Sequence, residues 1–191
     1  MSNRIIRISL IVLGLVLYSG ISYARGHVFE VALEQVQMEI KHDDGTRFRA
    51  IPNALLGKYA YRFNQYVAVE GVFGLGLSTD DYVLKPTVKE SLNVDSVFSA
   101  GAVAYYPISK TVSIFANLGY SNLKVTITRA GDFNRSDKLS GSGPSYGAGF
   151  LFDFTPTESI IIKYGYLPDV DLKDGGTIQS NTVDIGYQKR F

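Results

Sequence analysis

The 191-residue chain holds 13 Tyr, 11 Phe and 19 Gly, and only 19% of its residues are charged. That composition favours strands over helices, and the length suits one domain. The lack of Cys excludes disulfides, thiolate metal sites and a lipid-modified N-terminal Cys, and a formal charge of +1 offers no basic face for nucleic acid.

Residues 1–24 read as an export signal. Arg4 and Arg7 form the positive end, Ile8 to Tyr18 the apolar core, and Ser22-Tyr23-Ala24 a small-x-small site that predicts cleavage between Ala24 and Arg25. The apolar run breaks at Ser19 and Gly20, short of the roughly 20 residues a spanning helix needs. The mature domain, residues 25–191, loses two Arg and no acid, which leaves a formal charge of −1.

No later stretch has the 3.6-residue apolar period of an amphipathic helix; period-two alternation recurs instead. The segment HVFEVALEQVQMEI puts Phe29, Val31 and Leu33 on one side, then changes phase so that Val36, Met38 and Ile40 align, which predicts a β-bulge near Glu34–Gln35. Leu55, Tyr59, Tyr61 and Phe63 oppose Lys58 and Arg62, and Val67, Val69, Phe73, Leu75 and Leu77 oppose Glu70, Gly74 and Gly76. Phe98, Ala100, Ala102, Ala104 and Tyr106 are assigned outward. So are Val112, Ile114, Ala116, Leu118 and Tyr120, against Ser113, Asn117, Gly119 and Ser121. Tyr146, Ala148, Phe150, Phe152 and Phe154 oppose Gly147, Gly149 and Asp153, and Ile160, Ile162, Tyr164 and Tyr166 oppose Lys163 and Gly165. Last, Val183, Ile185, Tyr187 and Phe191 oppose Asp184, Gly186, Gln188 and Arg190.

These are eight strands, most near the 9–11 residues of a tilted membrane strand. A soluble sandwich or lipocalin-like barrel also alternates, but it points its large apolar side chains inward. Here the face opposite the aromatic row carries Gly, Ser, Asn and charge, which suits a narrow polar lumen. The links alternate as well: short at 63–65, 107–111 and 155–159, long and polar at 41–49, 78–93, 129–143 and 168–179. That order predicts an all-β, eight-stranded antiparallel up-and-down transmembrane barrel with both ends and three turns on the periplasmic side.

The chain resembles the small porin-like outer-membrane β-barrels of OmpA/OmpX type over essentially its mature length, most specifically in YGAGFLFDFTPTESIIIKYGYLPDVDL and NTVDIGYQKRF. The resemblance implies a bacterial outer-membrane location among lipid and lipopolysaccharide. It also implies that the barrel-assembly machinery reads Val183, Ile185, Tyr187 and Phe191 as a C-terminal signal. Lys189 departs from the aromatic usual there; a Lys at an interface can snorkel to water. Members of such a group serve as anchors, adhesins, channels and occasionally lipid-modifying enzymes, so the shared barrel does not choose an activity.

Catalytic signals are weak. His42 beside Asp43 and Asp44, with Ser78 and Ser91 elsewhere outside, supplies the parts of a lipid hydrolase without its geometry; His27 reads as a solvated or satisfied side chain. Asp169, Asp171 and Asp174 echo a calcium loop, but Lys173 and Ser180 stand where ligands are needed, so a solvated acidic hairpin fits better. The Gly pairs lie within strands and make poor phosphate loops. Asn134-Arg135-Ser136 matches a glycosylation acceptor only by chance, and no cofactor motif appears. The inward charges say more: Glu30, Glu34, Glu70, Asp153 and Asp184 face Lys58, Arg62, Lys163 and Arg190. A lumen this narrow is filled by side chains, so these groups are expected to pair and plug it. The reading is a monomeric, non-enzymatic barrel acting through its outer loops in surface contact or envelope integrity, with a possible host or surface ligand. A narrow channel for small or apolar solutes is the alternative, and an outer-leaflet lipid hydrolase comes third. Protruding strands without a pocket favour the first; lumen water or a lateral gap favours the channel.

Overall fold

A computed structural model describes residues 26–42, 45–85, 88–130, 135–173 and 175–191. The cleavage site at Ala24 and Arg25 lies outside them, as do Asp43, Asp44, Asn134 and Asp174. The strands are β1 (His27–Lys41), β2 (Arg47–Ala50), β3 (Asn53–Arg62), β4 (Val67–Gly76), β5 (Thr79–Lys85), β6 (Val88–Pro107), β7 (Val112–Ala130), β8 (Arg135–Asp153), β9 (Glu158–Asp171) and β10 (Thr177–Arg190). All pairings are antiparallel, in the order β10-β9-β8-β7-β6-β4-β3-β1, and β1 pairs back to β10 to close the ring.

The ring has eight staves because two are interrupted. β2 keeps the register of β3 along β1 after a break at Ile51-Pro52, where Val36 N–H donates to Pro52 O at 2.9 Å. β5 follows β4 along β6 with a one-residue change of register. Turns at 63–66, 108–111 and 154–157 and both ends of the described chain mark the periplasmic rim. At the other end, Gly45 and Gly175 take φ of 84° and 92°, a left-handed conformation that side chains disfavour.

The outward rows of the lower barrel are those the alternation predicts. Phe98, Leu118, Tyr120, Tyr146, Phe150, Tyr164 and Ile185 are exposed on the outer wall. On β7 the apolar row runs from Val112 to Tyr120, nine residues, which at the usual tilt spans about the 25 Å of a barrel's lipid-facing band. An aromatic girdle rings the periplasmic end: Tyr61 lies 5.2 Å from His27 and 5.3 Å from Phe63, and Phe29 lies 5.1 Å from Tyr59 and 5.7 Å from Phe191, centroid to centroid.

Two expectations are corrected. There is no bulge at Glu34–Gln35: β1 pairs with β10 in unbroken register from Val28 to Lys41, and inward burial alternates through Ile40. What changes there is which face is apolar, not the phase of the backbone. Register shifts of one residue sit instead at Asp95 of β6, near Pro168 of β9 and between Val83 and Lys85 of β5. Nor are the long links mainly loops. Most of 78–93 belongs to the β5–β6 hairpin, and β7 and β8 extend the next hairpin to residues 130 and 135.

Above the apolar band the ring divides. The β3–β4 ladder ends at Ala54–Gly76 and the β8–β9 ladder at Tyr146–Tyr166, and no ladder joins β2 to β5 among the described residues. Two four-stranded sheets result, β2-β1-β10-β9 and β5-β6-β7-β8. Val36, Met38, Ile40, Ala50, Val170 and Ile178 of the first meet Leu92, Val94, Leu123 and Val125 of the second, and each of these is fully buried. The outer faces of both sheets are polar, with Gln35, Gln37, Glu39 and Lys41 on β1 and Asn122, Lys124, Thr126 and Thr128 on β7. The projection is a small two-layer sandwich set on the barrel.

Candidate functional site: the filled lumen and the projecting sheets

All nine predicted inward charges face the lumen, in two groups. The middle group joins β1, β3, β4, β9 and β10. Lys58 Nζ lies 2.8 Å from Glu30 Oε1 and 3.6 Å from Asp184 Oδ2, and Lys163 Nζ lies 2.7 Å from the same Asp184 oxygen. Glu70 accepts from Asn117 Nδ2 at 3.2 Å. Glu34 stands directly across from Asp184 in the register, and its Oε1 is buried without a hydrogen-bond partner. Two carboxylates, Glu30 and Asp184, thus pair with two ammonium groups, and Glu70 and Glu34 stand beside them. The buried ammonium of Lys58, paired with both carboxylates, holds the layer together, since an unpaired charge here loses its water for nothing.

The second group sits nearer the periplasmic mouth. Arg190 donates to Asp153 Oδ1 at 2.6 Å and to Ser159 Oγ at 3.4 Å, and Ser159 Oγ donates to the same carboxylate at 2.5 Å. Arg62 does not join this pair; its guanidinium lies 4.0 Å from the centroid of the Tyr105 ring, a cation–π contact. An apolar layer of Val28, Ala60, Ala68, Val103, Phe115, Leu151 and Ile161 packs around Tyr105.

Above the middle charges lies a cavity of about 30 Å³ whose lining includes Glu34, Asn117, Ser121, Ser145, Lys163 and Thr182. That is room for one or two waters with ample polar partners. Over it the sandwich core closes the axis, and at the top Arg129 pairs with the inward Glu90. Charge, a small polar cavity and an apolar core succeed one another along the barrel axis.

The C-terminal residues lie at the seam. Phe191 N–H donates to His27 O at 2.9 Å, and Val183, Ile185 and Tyr187 occupy the outer face of β10. Lys189, the departure from the usual pattern, lies 3.9 Å from Glu158 Oε1, which also accepts from Tyr187 Oη at 2.8 Å. The serine and histidine considered for a hydrolase are dispersed: Ser91 Oγ donates to Asp81, Ser78 Oγ accepts from Asn53, and the His42 ring packs edge-on against Phe48. Asp169 accepts from Tyr166 Oη, and among the described residues no acidic or histidine cluster is arranged to hold a metal. Tyr105, Asn117 and the sandwich core were not singled out from sequence. The core had a signal, the alternation KVTIT at 124–128 with Val125 and Ile127 inward, inverted relative to the rows below.

The profile of the outer membrane protein beta-barrel domain matches residues 18–191. The chain belongs to that family. Its fold is shared by Ail, the attachment invasion locus protein of Yersinia pestis, solved in complex with the heparin analogue sucrose octasulfate (TM-score 0.56, 24% identity, 87% of this chain and 99% of that one). Neisserial surface protein A is similar at TM-score 0.58 and 14% identity, over 85% and 97% of the two chains. OprG from Pseudomonas aeruginosa is similar at 0.54 and 14%, over 89% and 98%. No curated protein sequence matches the chain. Family and fold place it in the bacterial outer membrane as a porin-like β-barrel.

Proposed function

We propose that this barrel is a monomeric surface-contact protein: its filled lumen anchors the two-sheet projection, which touches lipopolysaccharide or an opposing host or neighbouring surface. The observation that carries this reading is the projection itself. Strands β6, β7 and β8 run 19–20 residues, far beyond the apolar band, and their upper halves build a dry core under polar outer faces. A channel would gain nothing from such a core across its axis. Lipid surrounds the lower wall, and the barrel-assembly machinery engages Val183, Ile185, Tyr187 and Phe191 during insertion.

The ligand class is suggested by charge on the outer face of β2. Arg47 and Arg49 are exposed there and, among the described residues, are bonded laterally to Glu39 and Gln37. Exposed guanidinium groups recognise phosphate and sulfate in fixed geometry, and Ail was solved with a sulfated sugar. We read the chain as non-catalytic, supported by the dispersal of Ser78, Ser91 and His42. The test is retention of the folded protein, in vesicles, on immobilised heparin and on lipopolysaccharide. Salt-sensitive retention that falls in Arg47→Glu/Arg49→Glu is expected. Equal retention of wild type and variant, together with stepwise conductance in planar bilayers, would transfer the reading to the channel.

A further inference from the structure

Most strand glycines here are required by packing. A Cβ built on Gly76 would lie 1.8 Å from Val94 O, on Gly101 2.5 Å from Leu118 O, and on Gly149 2.1 Å from Ile162 O. Gly57 and Gly71 are different. A Cβ on Gly71 meets nothing within 4 Å, one on Gly57 meets only Phe73 O at 3.9 Å, and neither residue has a left-handed φ. Glycine weakens a strand interior, so neither residue is explained by the fold.

What the two share is a place. Gly57 faces Phe73 and Tyr59 faces Gly71 across the β3–β4 ladder, so the glycines are diagonal neighbours on the lipid-facing wall. Small residues continue the line, with Ala100 beside Gly71 on β6. Phe29 and Tyr59 stand on one side and Phe73 and Phe98 on the other, and the lined groove measures about 430 Å³. It lies in the periplasmic half of the apolar band, because Tyr59 is one outward position from the rim residue Tyr61. At its lower end His27 Nδ1 and Tyr59 Oη are hydrogen-bonded at 2.6 Å, a polar pair at headgroup level.

We propose that this groove binds one acyl chain of a glycerophospholipid from the periplasmic leaflet, with its headgroup at the His27–Tyr59 pair. The groove lies on the wall that faces hydrocarbon, between Phe29, Tyr59, Phe73 and Phe98, so its occupant is hydrocarbon. Its depth and its polar lower end select the periplasmic leaflet, whereas acyl chains of lipopolysaccharide enter from the opposite side. Bare glycines let a methylene chain lie against backbone between aromatic walls, where dispersion contacts on three sides exceed those on an open wall.

The test uses full-length mature protein folded into vesicles of palmitoyl-oleoyl phosphatidylethanolamine and phosphatidylglycerol, extracted in mild detergent and weighed by native mass spectrometry. Wild type is expected to carry one phospholipid. Gly71→Leu, which fills the groove, is expected to lose it to background, and Ala148→Leu, an outward substitution on β8, to keep it. Folding is checked by heat-modifiable electrophoretic mobility, and Gly57→Leu supplies the same comparison should Gly71→Leu fail to fold. Wild type without bound lipid would overturn the proposal, as would equal retention by all variants. So would preference for lipopolysaccharide when both lipids are offered, or a dimer mass that disappears in Gly71→Leu.

Discussion

Along β7, from Val112 to Ala130, one strand meets two opposite solvents. Up to Tyr120 its large apolar side chains other than Phe115 point outward, and Asn117 and Ser121 point in; from Asn122 the polar residues point outward and Leu123, Val125 and Ile127 point in. β1 makes the same change between Leu33 and Gln35 without a break in register. In the lower region the lipid is the apolar medium, so the lumen can hold charge; in the upper region water is outside and the sheets must make their own core. Alternation marks a strand, and the identity of its apolar face marks which side is wet.

The largest effect is expected in the lower lumen. Lys58→Ala leaves Glu30 and Asp184 buried with less positive charge, and should cost about 3–5 kcal/mol in urea unfolding of the vesicle-inserted barrel. Loss within 0.5 kcal/mol of wild type, on the order of a surface change, would mean that this layer is open to water. In the upper region, Met38→Ala or Leu123→Ala should cost about 2–5 kcal/mol through cavity formation. Hydrogen exchange should then rise in residues 122–129 and 135–143 before the membrane segment is affected. Uniform exchange along the whole of β7 would erase the distinction between the regions.

A smaller contrast tests the outer faces. Leu118→Arg, in the apolar band, should destabilise by about 2–4 kcal/mol if it lies at the midplane depth its position on the row implies. Thr126→Arg, eight residues up the same face, should be close to neutral in the same titration. The smallest effect belongs to Glu34→Gln. It removes a carboxylate that faces Asp184 and forms none of the ion pairs around Lys58 and Lys163, so stability should hold or rise slightly, in contrast to Lys58→Ala. A loss as large as that of Lys58→Ala would show Glu34 to be part of the pairing.

Legibility from sequence followed the same boundary. The outward rows and the inward charges were readable because long strands such as Tyr146–Phe154 and Val183–Phe191 alternate apolar against small, polar or charged residues with one exception each, Leu151 and Lys189. The projection was read as loop because its exposed positions, such as Ser91, Asn93, Ser140 and Ser142, have the composition of a loop. The inverted rows between them, Leu92 and Val94 or Val125 and Ile127, are short and interrupted by the bulge at Asp95. Pairing partners were out of reach because they depend on register: nothing in the order of residues places Lys58 between Glu30 and Asp184, or Arg62 on Tyr105. Gly149 is another instance. Its inward place was legible from the alternation, but not that the backbone of β9 leaves no room there for a Cβ.

The chain has no Cys, so single cysteines report cleanly on the two regions. The most direct measurement is labelling of single-Cys variants along β7 in intact cells by a membrane-impermeant maleimide. Labelling is expected at positions 122, 124, 126 and 128, with protection at 114, 116 and 118 by lipid and at 123, 125 and 127 by the sandwich core. Labelling at 123, 125 and 127 equal to that at their neighbours would show an open, wet upper lumen, and protection at 122–128 would sink the projection into the bilayer. Either result would contradict the inversion on which the surface-contact reading rests.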